Sequence, residues 1–212
     1  MVRRTKEEAQ ETRNLILDTA EKVFYEKGVS RTTLGDIAAA AGVTRGAIYW
    51  HFKNKAELVN EMLERATLPM EGMIEAQALA RADDPLGAIR FHSLLFLQRA
   101  ATDQQCRRVF DIVTHKCEYV DDIATLRQRR QECRSECLQE IEEGFRAAVR
   151  KGQLPKSLDP RITALGLFSL VDGLLANWLL DPEAFSLEKD AAPVIDQYLS
   201  GLAAASGRTS KK

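Results

Sequence analysis

The strongest constraint on this chain is what it lacks: no long run of β-branched residues alternates with polar ones anywhere in it. Ala, Leu, Glu, Lys, Arg and Gln dominate instead, and apolar residues recur at helical spacing. An all-α fold follows. The first helix is expected from about Lys6 to Lys27, where Ile16, Ala20, Val23 and Phe24 share one face and Gly28 supplies the stop. Thr33 with Asp36 has the pattern of a capping box and opens a second helix that ends near Ala41. Gly42 turns the chain, Thr44 caps a short third helix ending near His51, and a long fourth helix starts near Lys55. Asp83-Asp84-Pro85 is the clearest later boundary, with Asp84 as cap and Pro85 in the first turn of a new helix. Further helices are expected over about 85–101, 103–117, 121–151, 159–180 and 187–205, and 206–212 reads as a polar, disordered tail.

Composition narrows the class of protein only a little. With 212 residues, 45% of them hydrophobic and 29% charged, the chain can bury a core and stay soluble. Its net charge of -1 gives no support to nucleic-acid binding, though residues 1–60 hold 10 Lys/Arg against 8 Asp/Glu while the remainder holds 20 against 23. No apolar segment follows the charged first residues, so no secretory signal is expected. The most apolar stretch, Leu165 to Leu180, is shorter than the roughly 20 residues a spanning helix needs and is interrupted by Asp172 and Asn177. It reads as a buried helix, so no membrane association and a cytoplasmic location are expected. Reduced thiols then make structural disulfides among Cys106, Cys117, Cys133 and Cys137 unexpected.

The informative stretch is Thr33 to Phe52. Two short helices joined by a glycine turn make a helix-turn-helix. Ala38 is small enough for the helices to cross closely, and Ile37, Val43 and Ile48 close a small core with Phe24 and Phe52. That leaves Thr44, Arg45, Gly46, Tyr49 and His51 outward. A second helix lying in the major groove offers its N-terminal residues to base edges. Arg45 there can donate two hydrogen bonds to a guanine, and Gly46 permits close approach. Thr33, Tyr49, His51 and Lys55 carry donors suited to phosphate oxygens, and the start of the helix at Lys55 adds backbone N–H groups. On spacing alone, a tight helical corner without DNA remains the alternative.

The chain resembles the TetR family of bacterial repressors, and within it the branch that controls multidrug efflux pumps. The resemblance rests on Arg4 to Ala9, Glu11-Thr12-Arg13, Phe24, Gly28, Thr32-Thr33-Leu34, Asp36-Ile37-Ala38, Ala41 to Phe52, Lys55 and Leu58. Later matches are patchier: Asp84-Pro85-Leu86, His115 to Tyr119, Gly152 to Pro155, Asp172-Gly173-Leu174 and Trp178-Leu179-Leu180. It implies a three-helix DNA-binding domain over 1–54 and a larger helical domain for ligand binding and dimerisation over 55–205, with its first helix as the linker. It also implies a homodimer on double-stranded, palindromic operator DNA, and release by a hydrophobic small-molecule effector.

Candidate effector residues are those at helical spacing that mix apolar bulk with a polar group. They are Ile89, His92, Ser93 and Phe96, then Phe110, then Cys137 and Ile141, then Phe168, Val171 and Asp172. Core packing is the competing reading for each. Cys133 and Cys137, one helical turn apart, with His115 and Cys117 raise the question of a thiolate site. No C-x-x-C pair is present and the separations match no zinc pattern, so neither metal nor cofactor is expected. No nucleophile elbow, phosphate loop or metal-spaced histidine set appears among three histidines, so catalysis is not expected either. A helical adaptor that binds no DNA is the other alternative, and Arg45 and Tyr49 on an exposed face are what distinguish it.

Overall fold

A computed structural model describes residues 6–78, 83–118 and 124–204. Among them are nine helices and no strand: α1 (Lys6–Lys27), α2 (Leu34–Ala40), α3 (Arg45–His51), α4 (Lys55–Ala78), α5 (Pro85–Thr102), α6 (Gln104–His115), α7 (Ala124–Arg150), α8 (Pro160–Leu180) and α9 (Leu187–Ala204). The all-α expectation holds, and the helix ends follow the caps read from the sequence. The expected tail 206–212, Arg4, Thr5, Tyr119 and the expected start of α7 at Asp121 lie outside the described residues.

The chain forms two compact units: Met1–Thr67 with Arg108–Arg130, and Leu68–Arg107 with Gln131–Lys212. This differs from the single cut expected after residue 54. The physical reason is that the end of α6 is tied into the N-terminal helices. Arg108 donates to Glu21 of α1 at 2.5 Å, and Val29 N–H donates to the Lys116 carbonyl at 3.0 Å. Glu21 is buried, so its carboxylate needs that charge-assisted partner.

In the first unit, α1 packs on α2 and α2 on α3. Ile16, Leu17, Ala20 and Phe24 of α1 are buried with Ile37, Ala38, Ile48 and Phe52. Each large side chain so buried contributes about 1.5–3 kcal/mol. Phe52 also lies beneath the Arg13 guanidinium, 4.4 Å from the ring centroid, and Arg13 pairs with Glu61 of α4. Gly28 and Gly42, at φ 81° and 67°, take the left-handed turns that end α1 and separate α2 from α3.

In the second unit, α5, α8 and α9 pack on one another. Arg90 of α5 holds Asp196 of α9 through two nitrogens, which keeps that carboxyl below its ordinary pKa. By length and composition alone α8 is apolar enough to cross a membrane. Its packing against α5 and α9 uses much of that apolar surface: Ala164, Leu167, Leu175, Trp178 and Leu179 are buried. Ile162, Leu165 and Leu180 remain exposed, and with Ser169 and Asp172 they form one stripe along the helix.

Candidate nucleic-acid interface

The pair α2–α3 is fixed at both starts by side-chain caps. The Thr33 hydroxyl accepts from Asp36 N–H at 3.1 Å, and the Asp36 carboxylate accepts from Thr33 N–H at 2.8 Å and from the Thr33 hydroxyl at 2.6 Å. These bonds to its charged form hold the Asp36 carboxyl below the ordinary aspartate pKa. Thr44 caps α3 by accepting from Ala47 N–H at 3.2 Å. One face of α3 is anchored by Ile48, which is fully buried, and the C-cap residue Phe52 is buried beside it.

The opposite face is open. Thr44, Arg45, Gly46 and Tyr49 are exposed as expected, with Tyr49 at 51%. The structure adds Trp50, which sequence reasoning placed in the family pattern without giving it a role. It is 73% exposed, although most tryptophans bury their large rings. Arg45 with Tyr49, and Gly46 with Trp50, lie one turn apart. A capped helix therefore presents a guanidinium, two aromatic side chains with polar edges and a glycine to the outside.

Four features sit differently from the outward placement expected of them. Thr33 is exposed, but its hydroxyl proton is already given to Asp36, so its first task is to hold α2. His51 is half-buried rather than outward, its ring edge-on to Trp50 at 4.5 Å, and its carbonyl accepts from Arg13 at 2.9 Å. Lys55 is buried, with 8% exposure, and its ammonium donates to the carbonyls of Val29 at 3.2 Å and Ser30 at 3.4 Å. It does not stand out toward a phosphate. At the start of α4 one N–H is already taken: Glu57 N–H donates to Asn54 Oδ1 at 2.9 Å, and the Glu57 carboxylate accepts from Lys53 N–H at 2.7 Å. This cap was not read from the sequence, although the spacing Asn54-x-x-Glu57 is a usable signal for it.

The effector candidates separate on inspection. His92, Ser93 and Phe96 of α5, Ile141 of α7, and Phe168 and Val171 of α8 are half-buried. Ser93 bonds back to the Ile89 carbonyl at 2.9 Å, and the Arg134 guanidinium stands 5.5 Å from the Phe168 ring centroid. Ile89 is buried, its side chain 3.0 Å from where a Cβ on Gly144 would be. Cys137 is exposed on α7, and Asp172 sits in the exposed stripe of α8. Phe110 is buried in the first compact unit. An open pocket of about 370 Å³ beside Trp178 and Phe185 is lined by none of the ten.

All four cysteines are free thiols. Burial pushes the Cys106 thiol up to about 12, with Asp103 adding to it, and burial also raises Cys117. His115 Nδ1 is engaged with Asp111 at 2.8 Å. Among the described residues no cluster of three or more His, Cys, Asp or Glu could hold a metal.

A capped helix-turn-helix whose second helix leaves Arg45, Tyr49 and Trp50 exposed is the architecture of a DNA-binding transcriptional regulator. Comparison with known proteins narrows this. Residues 16–62 match the family described as bacterial regulatory proteins, tetR family, and residues 84–204 match the MAATS-type transcriptional repressor C-terminal region. The transcriptional regulator TtgR of Pseudomonas putida is 46% identical over 202 residues, covering 95% of this chain and 96% of that protein. AcrR of Shigella flexneri is 39% identical, covering 94% of each. Among solved structures, NalD, the secondary repressor of the MexAB-OprM multidrug efflux pump in Pseudomonas aeruginosa, is 37% identical, with TM-score 0.85 over 93% of this chain and 98% of that one. The SmeT–triclosan complex is 34% identical, with TM-score 0.80 and 91% of each chain covered. The chain belongs to the TetR family of DNA-binding transcriptional regulators, which are not enzymes.

Proposed function

We propose that this regulator is a repressor of a multidrug efflux operon and of its own gene, released from a palindromic operator by hydrophobic small molecules. The observation that carries the DNA half is α3: Ile48 is fully buried on one side while Arg45, Tyr49 and Trp50 are exposed on the other. Arg45 reads a base edge in the major groove, and Thr44, Tyr49 and Trp50 place the helix against the backbone. The similarity to NalD, and to SmeT, described as the repressor of the SmeDEF multidrug efflux pump, supports the efflux assignment.

The regulator works as a homodimer in the cytoplasm. The exposed stripe Ile162, Leu165, Ser169, Asp172 and Leu180 on α8 supports an isologous, two-fold contact, and two-fold symmetry matches a palindromic site. Ser169 and Asp172 within the stripe favour a partner protein surface over a membrane. The effector is apolar or aromatic and is taken up among His92, Ser93 and Phe96 of α5, Ile141 of α7, and Phe168 and Val171 of α8. The existence of the SmeT–triclosan complex favours this class of compound. Effector binding shifts the population toward a form whose two recognition helices no longer fit successive major grooves, roughly 34 Å apart. The coupling is reciprocal, so operator weakens effector binding by the same factor.

A reporter gene driven by the DNA upstream of the chain's own gene tests this in cells. The protein silences the reporter, and triclosan or a related hydrophobic phenol restores it. Expression that is indifferent to the protein contradicts the repressor assignment. Silencing that no hydrophobic compound relieves contradicts the effector half.

A further inference from the structure

Arg13 of α1 is not on the open face of α3, yet it grips the end of that helix. Its Nη1 donates to the carbonyl of His51, the last residue of α3, at 2.9 Å. Its Nη2 pairs with the Glu61 carboxylate on α4, and its guanidinium stands 4.4 Å from the ring centroid of Phe52, the C-cap. Arg13 and Glu61 are both half-buried, and Phe52 is buried. α3 has only 7 residues. A helix so short is marginal by itself, and its last carbonyls have no acceptor role inside the helix. Phe52 N–H closes the last turn from within by donating to the Ile48 carbonyl at 2.9 Å. Arg13 closes it from outside by taking the His51 carbonyl, and a cation suits the negative end of the backbone dipoles.

We propose that Arg13 is a positioning residue for sequence recognition, a clamp that ties the C-terminal end of α3 to α1 and α4 and is not itself a phosphate ligand. This rests on the reading of α3 as the operator-recognising helix. Thr44 fixes the start of α3 and Ile48 its buried face. The Arg13 bond opposes rotation about those two points. Both terminal nitrogens of the guanidinium already serve protein acceptors, so a phosphate would have to compete with the His51 carbonyl and the Glu61 carboxylate. Two hydrogen bonds from Arg45 to a base edge depend closely on angle, whereas backbone contacts carry no sequence information. A loosened α3 therefore loses discrimination before it loses general affinity.

The test uses the full-length protein with Arg13→Met, Arg13→Lys and Glu61→Gln variants. Arg13→Met keeps an apolar stem over Phe52 and removes the donors and the charge. Two readouts are taken. One is hydrogen exchange in the free protein at the Phe52 amide, with the Ala41 amide of α2, bonded to the Ile37 carbonyl at 2.8 Å, as internal reference. The other is affinity for the upstream DNA and for unrelated DNA across a range of salt. In Arg13→Met, Phe52 exchange is expected to speed up about tenfold while Ala41 exchange stays the same. The preference for the upstream DNA is expected to fall about tenfold with an unchanged salt slope. Arg13→Lys and Glu61→Gln are expected to show the same pattern at smaller size. Equal acceleration at Phe52 and Ala41 with the preference intact makes Arg13 a general stabiliser of the fold and overturns the proposal. A salt slope reduced by about one, with affinity lost equally on both duplexes, makes it a phosphate contact and overturns it as well. Where Arg13→Met fails to fold, Glu61→Gln decides, and wild-type exchange and preference in that variant overturn the clamp. The exchange readout needs no DNA, so a wild type that does not prefer the upstream DNA refutes the operator reading and is recognised separately.

Discussion

The Tyr198 hydroxyl on α9 donates to the Thr163 carbonyl on α8 at 2.8 Å, and the tip of its ring stands where a side chain on Gly166 would have to go. A Cβ at Gly166 would lie 2.5 Å from that hydroxyl oxygen and 3.3 Å from the ring carbon bearing it. The glycine is what lets α9 lie this close to α8. Gly166→Ala is therefore expected to displace Tyr198 and to destabilise the protein by about 1–3 kcal/mol. Tyr198→Phe, which removes only the hydrogen bond, costs about 1 kcal/mol. Denaturant unfolding of both variants checks the order, and a silent Gly166→Ala contradicts the packing.

Arg45 and Trp50 are expected to separate reading from positioning. Arg45→Ala lowers operator affinity by about 1–3 kcal/mol and blurs the preference for the site over single-base variants. Trp50→Ala leaves the melting temperature nearly unchanged, because its ring is 73% exposed and supports little of the core. It weakens binding to specific and unrelated DNA alike. Titrations of each variant on matched and mismatched duplexes give the result directly.

The exposed stripe on α8 makes a prediction about assembly. Leu165→Glu places a charge among Ile162, Ser169 and Asp172, where a two-fold partner would bury it. Sedimentation is expected to show a dimer for the wild type and a shift toward monomer for the variant, with helical content retained. A variant that stays dimeric at the same concentration places the interface elsewhere.

Acid should loosen the caps and clamps that depend on carboxylates. Asp36 is held below its ordinary pKa of 3.8 by the Thr33 hydroxyl and N–H, and Asp196 by the hydrogen bond from Arg90. A group whose folded pKa is depressed stabilises the fold fully above its unfolded value and loses that contribution as pH falls through the folded one. Unfolding free energy is thus expected to decline as pH falls below about 4. Asp36→Asn is expected to show a shallower decline over that interval. An identical slope in wild type and variant contradicts the capping account.

Much of the first unit was legible because its helix ends are written locally. Thr33 with Asp36, Gly42 and Thr44 sit within a turn of the groups they satisfy, and the caps form as expected. Arg45 and Tyr49 were legible as outward once Ile48 was known to point in. The burial of Lys55 was not. A lysine at a helix start usually reaches solvent, and its burial depends on carbonyls from a loop far away in sequence. The docking of the end of α6 on Val29 is likewise a long-range pairing that no periodicity reveals. On α8 the run of apolar residues hid which face is packed and which is open. Asp172, an effector candidate by its spacing, lies on the exposed stripe.

Recognition of a specific operator by α3 is decided by one titration. Purified full-length protein is titrated on the DNA upstream of its own gene and on unrelated DNA of equal length, at two salt concentrations. Site-specific binding at least a thousandfold tighter than to the unrelated duplex, weakening steeply with salt, is the expected result. Equal affinity for both duplexes contradicts autoregulation through α3.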